Sequence, residues 1–323
     1  MICIYHPGTD VASHLACEYY FATEKKLGDT VFMLWHSRPT LVVGKFQNTF
    51  EEINLRYAEE KGIDIVRRLS GGGTVYQDGG GCQFAFVDYG ADSGIDFTSY
   101  LRPVVDALSK IGVPASFNGR NDLVAGGRKF SGNSQYRLKG TTVHHGTLLF
   151  DTDISEMVGA TAVDPYKIES KSIKSVRDRV VNLIEYLPDF TIDRLRDFLA
   201  DAVLGENGVR YELTEEDNAR IAQIAEEIFR PWEFRFGSNP KFDIEKVGRF
   251  TGGKMEFQLS VEKGRIAKVA VRGDFFASVD TDILCEALLG VTYTYDAVKE
   301  ALIPFEGQIY GVTVEEMANL ITR

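Results

Sequence analysis

The 323-residue sequence lacks the features that mark secreted, membrane-spanning and nucleic-acid-binding proteins. It contains no run of about 18 apolar residues, which argues against a transmembrane helix. Its first residues show no basic segment followed by an apolar one, so we expect no secretion signal. The formal net charge is -11, and the basic residues are not concentrated as phosphate backbones require. We therefore expect a cytoplasmic protein that binds neither membranes nor nucleic acids.

The sequence is also poor in cysteine. Its four cysteines are scattered, with no CxxC pair and no histidine spacing suited to zinc, so buried free thiols are the simplest interpretation. Positive charge is local, at Arg67–Arg68, at Arg128–Lys129 and between Lys171 and Arg179. An acidic protein with a few basic clusters suits a small anionic ligand better than a polyanion.

Apolar periodicity and turn residues predict an α+β fold in two parts. Helical spacing predicts helices at residues 10–22, 54–61, 97–111, 192–204, 215–229, 280–289, 295–301 and 313–321. β-Branched and aromatic residues predict strands at residues 30–36, 40–44, 63–68, 74–76, 82–87, 122–125, 128–131, 142–150, 253–261 and 265–271. The turn-rich residues 237–240 predict a domain boundary, with a small α+β domain after it.

The most informative stretch is a glycine-rich loop between two predicted strands, RRLSGGGTVY from Arg67 to Tyr76. Its spacing is neither that of a P-loop nor GxGxxG, and no helix follows to bind a phosphate. Consecutive glycines let a backbone without Cβ atoms approach a ligand and present N–H groups, and Arg68 could offer a bidentate fork to a carboxylate or phosphate. A surface hairpin turn is the alternative, and the loop alone does not decide between them.

A second cluster lies in GRNDLVAGGRKFSGNSQ, residues 119–135. Strand alternation places Arg128 and Phe130 on one face and Lys129 on the other. A lysine ammonium can neutralise a phosphate or an acyl oxygen as charge develops, and Asp122 could hold Mg²⁺ or orient a polar ligand group. A solvated Arg–Lys pair, with Asp122 capping a turn, is the alternative interpretation.

Two adjacent histidines, His144 and His145, lie on a predicted strand. Their side chains should face opposite sides of the sheet, so they cannot simply reach one metal ion. A histidine that enters a buried strand is more often a core residue than a base, which favours a structural role.

Taken together, these stretches resemble the lipoate–protein ligase A family of the biotin and lipoate ligase superfamily. The matching motifs are RRLSGGGTVY, GRNDLVAGGRKFSGNSQ, HGTLLFD, KSIKSVRDRVVNL, GSNPKF, GGKMEFQLSVEKGRI and GDFF. They occur in family order over nearly the whole chain. The resemblance implies the α+β fold of that superfamily, with mixed β-sheets flanked by helices. It also implies a catalytic domain at residues 1–240 and a small accessory domain at residues 243–323.

The resemblance implies a two-step reaction that uses ATP and Mg²⁺. Lipoate and ATP first form lipoyl-AMP and pyrophosphate, and the lipoyl group then passes to a carrier lysine. The implied carriers are lipoyl domains of 2-oxoacid dehydrogenase acyltransferase subunits, the glycine-cleavage H protein, or both. A mixed anhydride supplies the leaving group that a carboxylate lacks, and holding two anions together requires cations and N–H dipoles.

Motif positions imply roles for individual residues. Lys129 is implied as the catalytic lysine that contacts the lipoyl carbonyl and the α-phosphate. The lipoyl pocket is implied to include Trp35, Gly72 and His145, although a core position would also explain Trp35. The residues implied to contact ATP or lipoyl-AMP are Arg68, Ser70, Gly71, Gly72, Gly73, Thr74, Val75, Tyr76, Asp122 and Lys129, with Asp122 also a candidate Mg²⁺ ligand. Residues 171–179 fall where family members carry a basic loop that closes over the adenylate.

The sequence departs from the family pattern at Gln77, where a histidine is usual. Glutamine hydrogen-bonds but does not titrate, so the preferred acid, lipoate or octanoate, and the preferred carrier are left open. An ATP-independent octanoyltransferase is one alternative, but it needs a cysteine nucleophile, and the position three residues after Lys129 is Gly132. A biotin–protein ligase would carry a GRGRxxR-like loop, which is absent. The retained Lys129 and Arg68 argue against a non-catalytic lipoate-binding protein.

Overall fold

The computed structural model describes residues 1–90, 94–119, 121–161, 176–236, 244–262 and 264–322. The strands are β1 (Ile2–Tyr5), β2 (Val31–Trp35), β3 (Thr40–Val43), β4 (Asp64–Arg67), β5 (Val75–Gln77), β6 (Gly81–Asp88), β7 (Ala115–Asn118), β8 (Asp122–Ala125), β9 (Arg128–Leu138), β10 (Thr141–Leu149), β11 (Val209–Tyr211), β12 (Ile244–Phe250), β13 (Gly253–Glu262) and β14 (Arg265–Gly273). The α-helices are α1 (Val11–Thr23), α2 (Thr49–Glu52), α3 (Leu55–Lys61), α4 (Thr98–Lys110), α5 (Ile154–Thr161), α6 (Ile192–Leu204), α7 (Glu215–Ile224), α8 (Trp232–Arg235), α9 (Thr281–Leu288), α10 (Tyr295–Leu302) and α11 (Val314–Thr322). Over these described ranges, every helix is too short or too polar to cross a membrane.

An eight-stranded mixed sheet forms the centre of the larger part of the chain. Its strand order is β11-β1-β2-β6-β10-β9-β8-β7. β1 pairs in parallel with β2 and β11, and the other neighbours are antiparallel. Along β2, Phe32 and Leu34 face the core under α4 and α6, whereas Val31, Met33 and Trp35 face the core under α1 and α7. Strand alternation therefore builds a hydrophobic layer on each face of the sheet.

A second, three-stranded sheet carries the glycine-rich loop. β3 pairs in parallel with β4 and antiparallel with β5, and residues 68–74 connect β4 to β5. Arg67, the last residue of β4, is buried and donates hydrogen bonds to the carbonyl oxygens of Lys45, Gln47 and Phe234. Burial lowers the pKa of Arg67 to about 10. Arg67 therefore joins separate backbone segments, because their carbonyl oxygens accept hydrogen bonds from its buried N–H groups.

Residues 244–322, called the C-terminal module here, form a third sheet and their own core. The sheet has the order β12-β13-β14, and α9, α10 and α11 supply most of the apolar residues that pack on it. Phe46 from the larger part of the chain enters this core, while Phe276 from the module enters the core beside α4. The predicted boundary at residues 237–240 lies outside the described residues.

The C-terminal module contacts the glycine-rich loop directly. The N–H of Gly72 donates to the carbonyl oxygen of Phe275 at 3.0 Å, and the N–H of Gly273 donates to that of Phe46 at 2.7 Å. The rings of Phe46 and Phe275 stack, with centroids 4.6 Å apart. The conformation of the loop and the position of the module therefore depend on each other.

All the predicted helices and strands occur, most with ends within a few residues of those predicted. Asp10 caps α1 by accepting from the N–H of Ser13, and Gly62 ends α3 in the left-handed conformation. β9 is longer than predicted, because it continues to Leu138. The elements that were not predicted are β1, β7, β11, β12, α2, α5 and α8. Of these, β7 and β11 are the two edge strands of the large sheet, and their mostly exposed residues show no apolar alternation.

The first turn of α7 contains a fully buried carboxylate, Asp217. It accepts hydrogen bonds from Lys25 at 2.6 Å, Tyr211 at 2.7 Å, Tyr20 at 2.9 Å and the N–H of Thr214 at 3.0 Å. Burial alone would raise the pKa of Asp217, but these hydrogen bonds lower it below its ordinary value. The ionised group therefore ties α7 to the end of α1.

We predict that Asp217→Asn lowers the free energy of unfolding at pH 7 by about 3 kcal/mol, because Lys25 loses its charged partner. The folded-state pKa of Asp217 lies below its unfolded value, so this stability is present above about pH 4 and is lost as the pH falls further. Urea denaturation at pH 7 and below about pH 4 should show that the difference in free energy of unfolding between wild type and variant is smaller in acid. Glu216→Gln, at an exposed neighbouring position, is the control. Equal stability of Asp217→Asn and wild type at pH 7 would contradict this account.

The consecutive glycines of the loop differ in how tightly they are packed. Gly72 has φ +87°, and a Cβ there would lie 2.8 Å from Cε1 of Phe276, whereas a Cβ at Gly73 would meet no heavy atom within 4 Å. We predict that Gly72→Ala costs about 1–3 kcal/mol of stability and loosens the C-terminal module. Gly73→Ala should leave the melting temperature nearly unchanged. Thermal denaturation and limited proteolysis compare the two variants, and equal effects would refute the distinction.

Candidate functional site

A cavity opens between the glycine-rich loop, α1 and the strands β9 and β10. Apolar side chains on one side belong to Val11, Leu15, Trp35 and Val42. The remaining lining residues are Arg68, Gly72, Gly73, Thr74, Val75, Gln77, Asn121, Lys129, Gly132, Asn133, Ser134, His145, Gly146 and Thr147. A cavity with one apolar wall and convergent polar groups suits a small acid with an apolar tail.

Lys129 enters this cavity from the start of β9. The pairing of β8 with β9 shifts register at Leu123, which brings the Nζ of Lys129 to 2.7 Å from Oδ1 of Asp122. The lysine side chain is 41% exposed, so its ammonium can reach a ligand. A Cβ at Gly132 would lie 3.2 Å from Nζ, so the glycine leaves room for the ammonium.

The neighbours of Lys129 confirm the predicted strand alternation. Phe130 is fully buried in the core, and Arg128 forms an exposed ion pair with Glu185 at 2.7 Å. The backbone of Lys129 pairs with Val180 in an isolated parallel bridge. The described end of the predicted basic loop, residues 176–179, therefore leads directly to the strand partner of Lys129, while residues 171–175 lie outside the described residues.

Arg68 holds the glycine-rich loop from beneath. Its guanidinium donates to the carbonyl oxygens of Val42 at 2.8 Å, Gly71 at 2.7 Å and Gly73 at 2.8 Å, and to Oγ of Ser70 at 3.0 Å. The residue is 5% exposed, and burial lowers the pKa of Arg68 to about 9. Arg68 therefore shapes the loop through protein contacts, and its predicted contact with a nucleotide stays a prediction.

A buried chain of hydrogen bonds connects the loop to α1. The Nδ1 of His145 lies 3.0 Å from both carboxylate oxygens of Glu18, and its Nε2 lies 2.7 Å from Oγ of Ser70. The carboxylate accepts from the Nδ1–H of His145, and Nε2 shares a hydrogen bond with the serine hydroxyl. Tyr136 also donates to Glu18, at 3.5 Å. His145 thus lines the cavity in one fixed orientation.

Glu18 is the functional candidate that the sequence interpretation missed. A signal was present, because this carboxylate lies on the buried side of α1 among Cys17, Tyr20 and Phe21. Its partner His145 was placed in the pocket but also interpreted as structural, and the structure shows a side chain that is both buried and in contact with the cavity. A buried carboxylate usually has such a partner.

The other predicted site residues lie at different depths. Trp35, Gly72, Gly73, Thr74 and Val75 line the cavity, as predicted. Ser70 and Gly71 lie behind the lining, and the ring of Tyr76 packs in a separate core with α3 and α5. A Cβ at Gly71 would lie 2.0 Å from the carbonyl oxygen of Phe275. Close packing against the C-terminal module therefore explains why residues 71 and 72 are glycines, independently of any ligand.

His144 faces the opposite side of the sheet from His145, as strand alternation predicts. It is fully buried, with its ring 5.1 Å from that of Tyr100, and burial lowers its pKa to about 3. Within the described ranges, no group of three or more histidine, cysteine, aspartate or glutamate side chains is suited to hold a metal ion. Asp122 would therefore hold Mg²⁺ only together with oxygen atoms of a bound molecule. Mg²⁺ is commonly bound in this way, by a carboxylate and phosphate oxygens.

The cysteines do not supply a nucleophile to this cavity. All four lie among the described residues, and none of them lines it. Burial raises the pKa of both Cys82 and Cys285 to about 12, and it also raises the pKa values of Cys3 and Cys17. Thiolates are the reactive form of cysteine, so these thiols are poor nucleophiles.

Comparisons with known proteins match both parts of the chain. The lipoyl protein ligase A/B catalytic domain matches residues 10–204, and the bacterial lipoate protein ligase C-terminus matches residues 239–321. Lipoate-protein ligase LplJ of Bacillus subtilis is 39% identical over 321 residues, which cover 97% of each chain.

Two solved structures have the same fold over most of their length. Plasmodium falciparum LipL1, in complex with lipoate, has a TM-score of 0.80 at 20% identity and covers 99% of this chain and 98% of its own. A lipoate-protein ligase A bound with ATP has a TM-score of 0.62 at 25% identity, over 73% of this chain and 98% of its own. With the family matches in order along the sequence and a relative that spans nearly all of it, the chain belongs to the lipoate–protein ligase family.

Proposed function

We propose that the protein is an ATP-dependent lipoate–protein ligase. It joins lipoate to AMP, releases pyrophosphate and then transfers the lipoyl group to a lysine of a carrier domain. The observation that carries this proposal is that Lys129 and the glycine-rich loop line the same cavity. The relatives solved with lipoate and with ATP support the same choice of ligands.

The two walls of the cavity suggest how the acid lies in it. The apolar tail packs beside Trp35 and Leu15, and the carboxylate points toward Lys129. There the ammonium offsets the negative charge that builds on the acyl and phosphate oxygens during adenylation. The ion pair between Lys129 and Asp122 holds the ammonium ready, and Asp122 would become a ligand of the Mg²⁺ that accompanies ATP.

The fixed groups around the cavity order the ligands. Gly73 presents no side chain, and Thr74 is held by a hydrogen bond to Gln47 at 2.9 Å. The Ser70–His145–Glu18 chain keeps the imidazole in one orientation beside the acyl group. We propose that residues 1–240 form the catalytic domain and residues 243–323 an accessory domain. Because the reaction consumes ATP, we place it in the cytoplasm.

Gln77 lines the cavity where a histidine is usual in the family, and its Oε1 accepts from Ser37 at 2.9 Å. This fixed amide is polar at any pH, so it influences the choice between lipoate and octanoate without titrating. For the carrier we propose lipoyl domains of 2-oxoacid dehydrogenase acyltransferase subunits, the glycine-cleavage H protein, or both. None of the cysteines lines this cavity, which argues against the alternative of an ATP-independent transferase.

We predict that Lys129→Ala reduces lipoate-dependent ATP–pyrophosphate exchange at least about a hundredfold, because the charge on the transition state loses its cation. Arg128→Ala is the matched control, because this neighbouring cation faces Glu185 and not the cavity. It should exchange at nearly the wild-type rate. Circular dichroism checks that both variants are folded. Exchange close to wild type in Lys129→Ala would count against the proposed role.

A carrier panel tests the second step. The wild-type protein is mixed with lipoate or octanoate, Mg-ATP, and either a lipoyl domain or an H protein, and carrier masses are measured. We expect an acyl addition to a carrier lysine only when ATP is present. An acyl adduct on a cysteine of the enzyme, formed from an octanoyl carrier without ATP, would support the transferase instead.

A further inference from the structure

A second cavity lies between the glycine-rich loop and the C-terminal module. It shares Gly73 and Thr74 with the first cavity, so the two adjoin at the loop. The C-terminal module contributes Arg249, Lys254 and Asp274 to its lining. The second cavity therefore brings cations of one part of the chain to the loop of the other.

Arg249 and Lys254 act as a pair. They lie directly opposite each other in the antiparallel pairing of β12 with β13, and directly opposite side chains share one face of a sheet. The Nζ of Lys254 forms an ion pair with Glu256 at 3.3 Å, whereas Arg249 forms no ion pair with a carboxylate in the described part of the chain. Like charges opposite each other destabilise a strand pair, so an anion between them would offset that cost.

The backbone fixes Lys254 relative to the loop. Its N–H donates to a carboxylate oxygen of Asp274, and its carbonyl oxygen accepts from the N–H of Asp274 at 3.2 Å. The next residue, Phe275, accepts the hydrogen bond from Gly72. The backbone of Lys254 is therefore held beside the loop.

We propose that Arg249 and Lys254 bind the β- and γ-phosphates of ATP, the part that leaves as pyrophosphate; this rests on the proposed ligase function. A carboxylate oxygen of the acid bonds to the α-phosphorus beside Lys129, and the bond from that phosphorus to the α,β-bridging oxygen breaks. Its electron pair leaves with pyrophosphate. The two cations offset the charge that builds on the departing group, as preorganised charges do in other transition states.

Gly73 lines both cavities, and a Cβ there would meet no heavy atom within 4 Å, so no side chain stands between them at this residue. The second cavity also contains the carboxylates of Glu52 and Asp274, which would repel bare pyrophosphate. Carboxylates beside phosphates commonly share a Mg²⁺ ion with them. The site therefore takes the magnesium complex of pyrophosphate rather than the free anion.

The test separates the two half-reactions. In the double variant Arg249→Gln/Lys254→Gln, we expect the KM for Mg-ATP and the inhibition constant of Mg-pyrophosphate to rise at least about tenfold, because charge-assisted hydrogen bonds are lost. Transfer to the carrier from chemically prepared lipoyl-AMP should stay close to wild type, because no polyphosphate takes part. Lys268→Gln, an exposed cation on β14 that lines neither cavity, is the matched control.

Calorimetric titration of Mg-pyrophosphate into the wild type and the double variant, without lipoate, adds a measurement that needs no turnover. Unchanged KM, inhibition constant and pyrophosphate affinity would overturn the assignment of Arg249 and Lys254 while leaving the ligase function intact. Equal loss of adenylation and of transfer from lipoyl-AMP would also overturn it, in favour of a structural role. A wild-type protein without lipoate-dependent exchange would instead refute the proposed function itself.

Discussion

The glycine-rich loop is held from two sides, and the rest of the site depends on that restraint. Beneath it, the buried Arg68 donates to the carbonyl oxygens of Gly71 and Gly73, and above it the carbonyl oxygen of Phe275 accepts from Gly72. A buried guanidinium with carbonyl acceptors keeps its N–H groups satisfied without a carboxylate that would repel an anionic ligand. The loop can therefore face a ligand that carries negative charge.

The features that the sequence predicted correctly are those that interactions between neighbouring residues determine. The capped helix α1 and the alternation around Lys129 could be read from a few neighbouring residues, because helix and strand periodicities act over that range. The carbonyl acceptors of Arg67, on Lys45, Gln47 and Phe234, could not, since only the tertiary fold brings them to the guanidinium. The same is true of Gly71 and Gly72, whose lack of side chains is required by residues about two hundred positions later in the chain. Glu18 was missed because its hydrogen-bond partners, Tyr136 and His145, lie on the distant strands β9 and β10.

The polar groups around the first cavity form two separate systems. His145, which lines the cavity, is hydrogen-bonded to the buried Glu18 and Ser70, whereas Lys129 and Asp122 are partly exposed. In the first system the Glu18 carboxylate accepts from the imidazole N–H, which fixes the orientation of the ring that lines the cavity. In the second, the Lys129 ammonium is paired with Asp122 but stays partly exposed, so a ligand can reach it. The site thus combines a buried, hydrogen-bonded wall with a partly exposed cation.

The exchange of phenylalanine rings has a consequence for how the chain becomes compact. Phe46 completes the core of the C-terminal module, and Phe276 completes a core of the larger part. Each of these two hydrophobic cores therefore contains a large side chain from the other part of the chain, and neither core is fully packed without it. Burying such a ring stabilises a core by a few kcal/mol, a large share of what keeps a small domain folded. The two parts are thus expected to fold cooperatively. The larger part, which is synthesised first, would expose the apolar surface that Phe276 covers until the C-terminal module has been made.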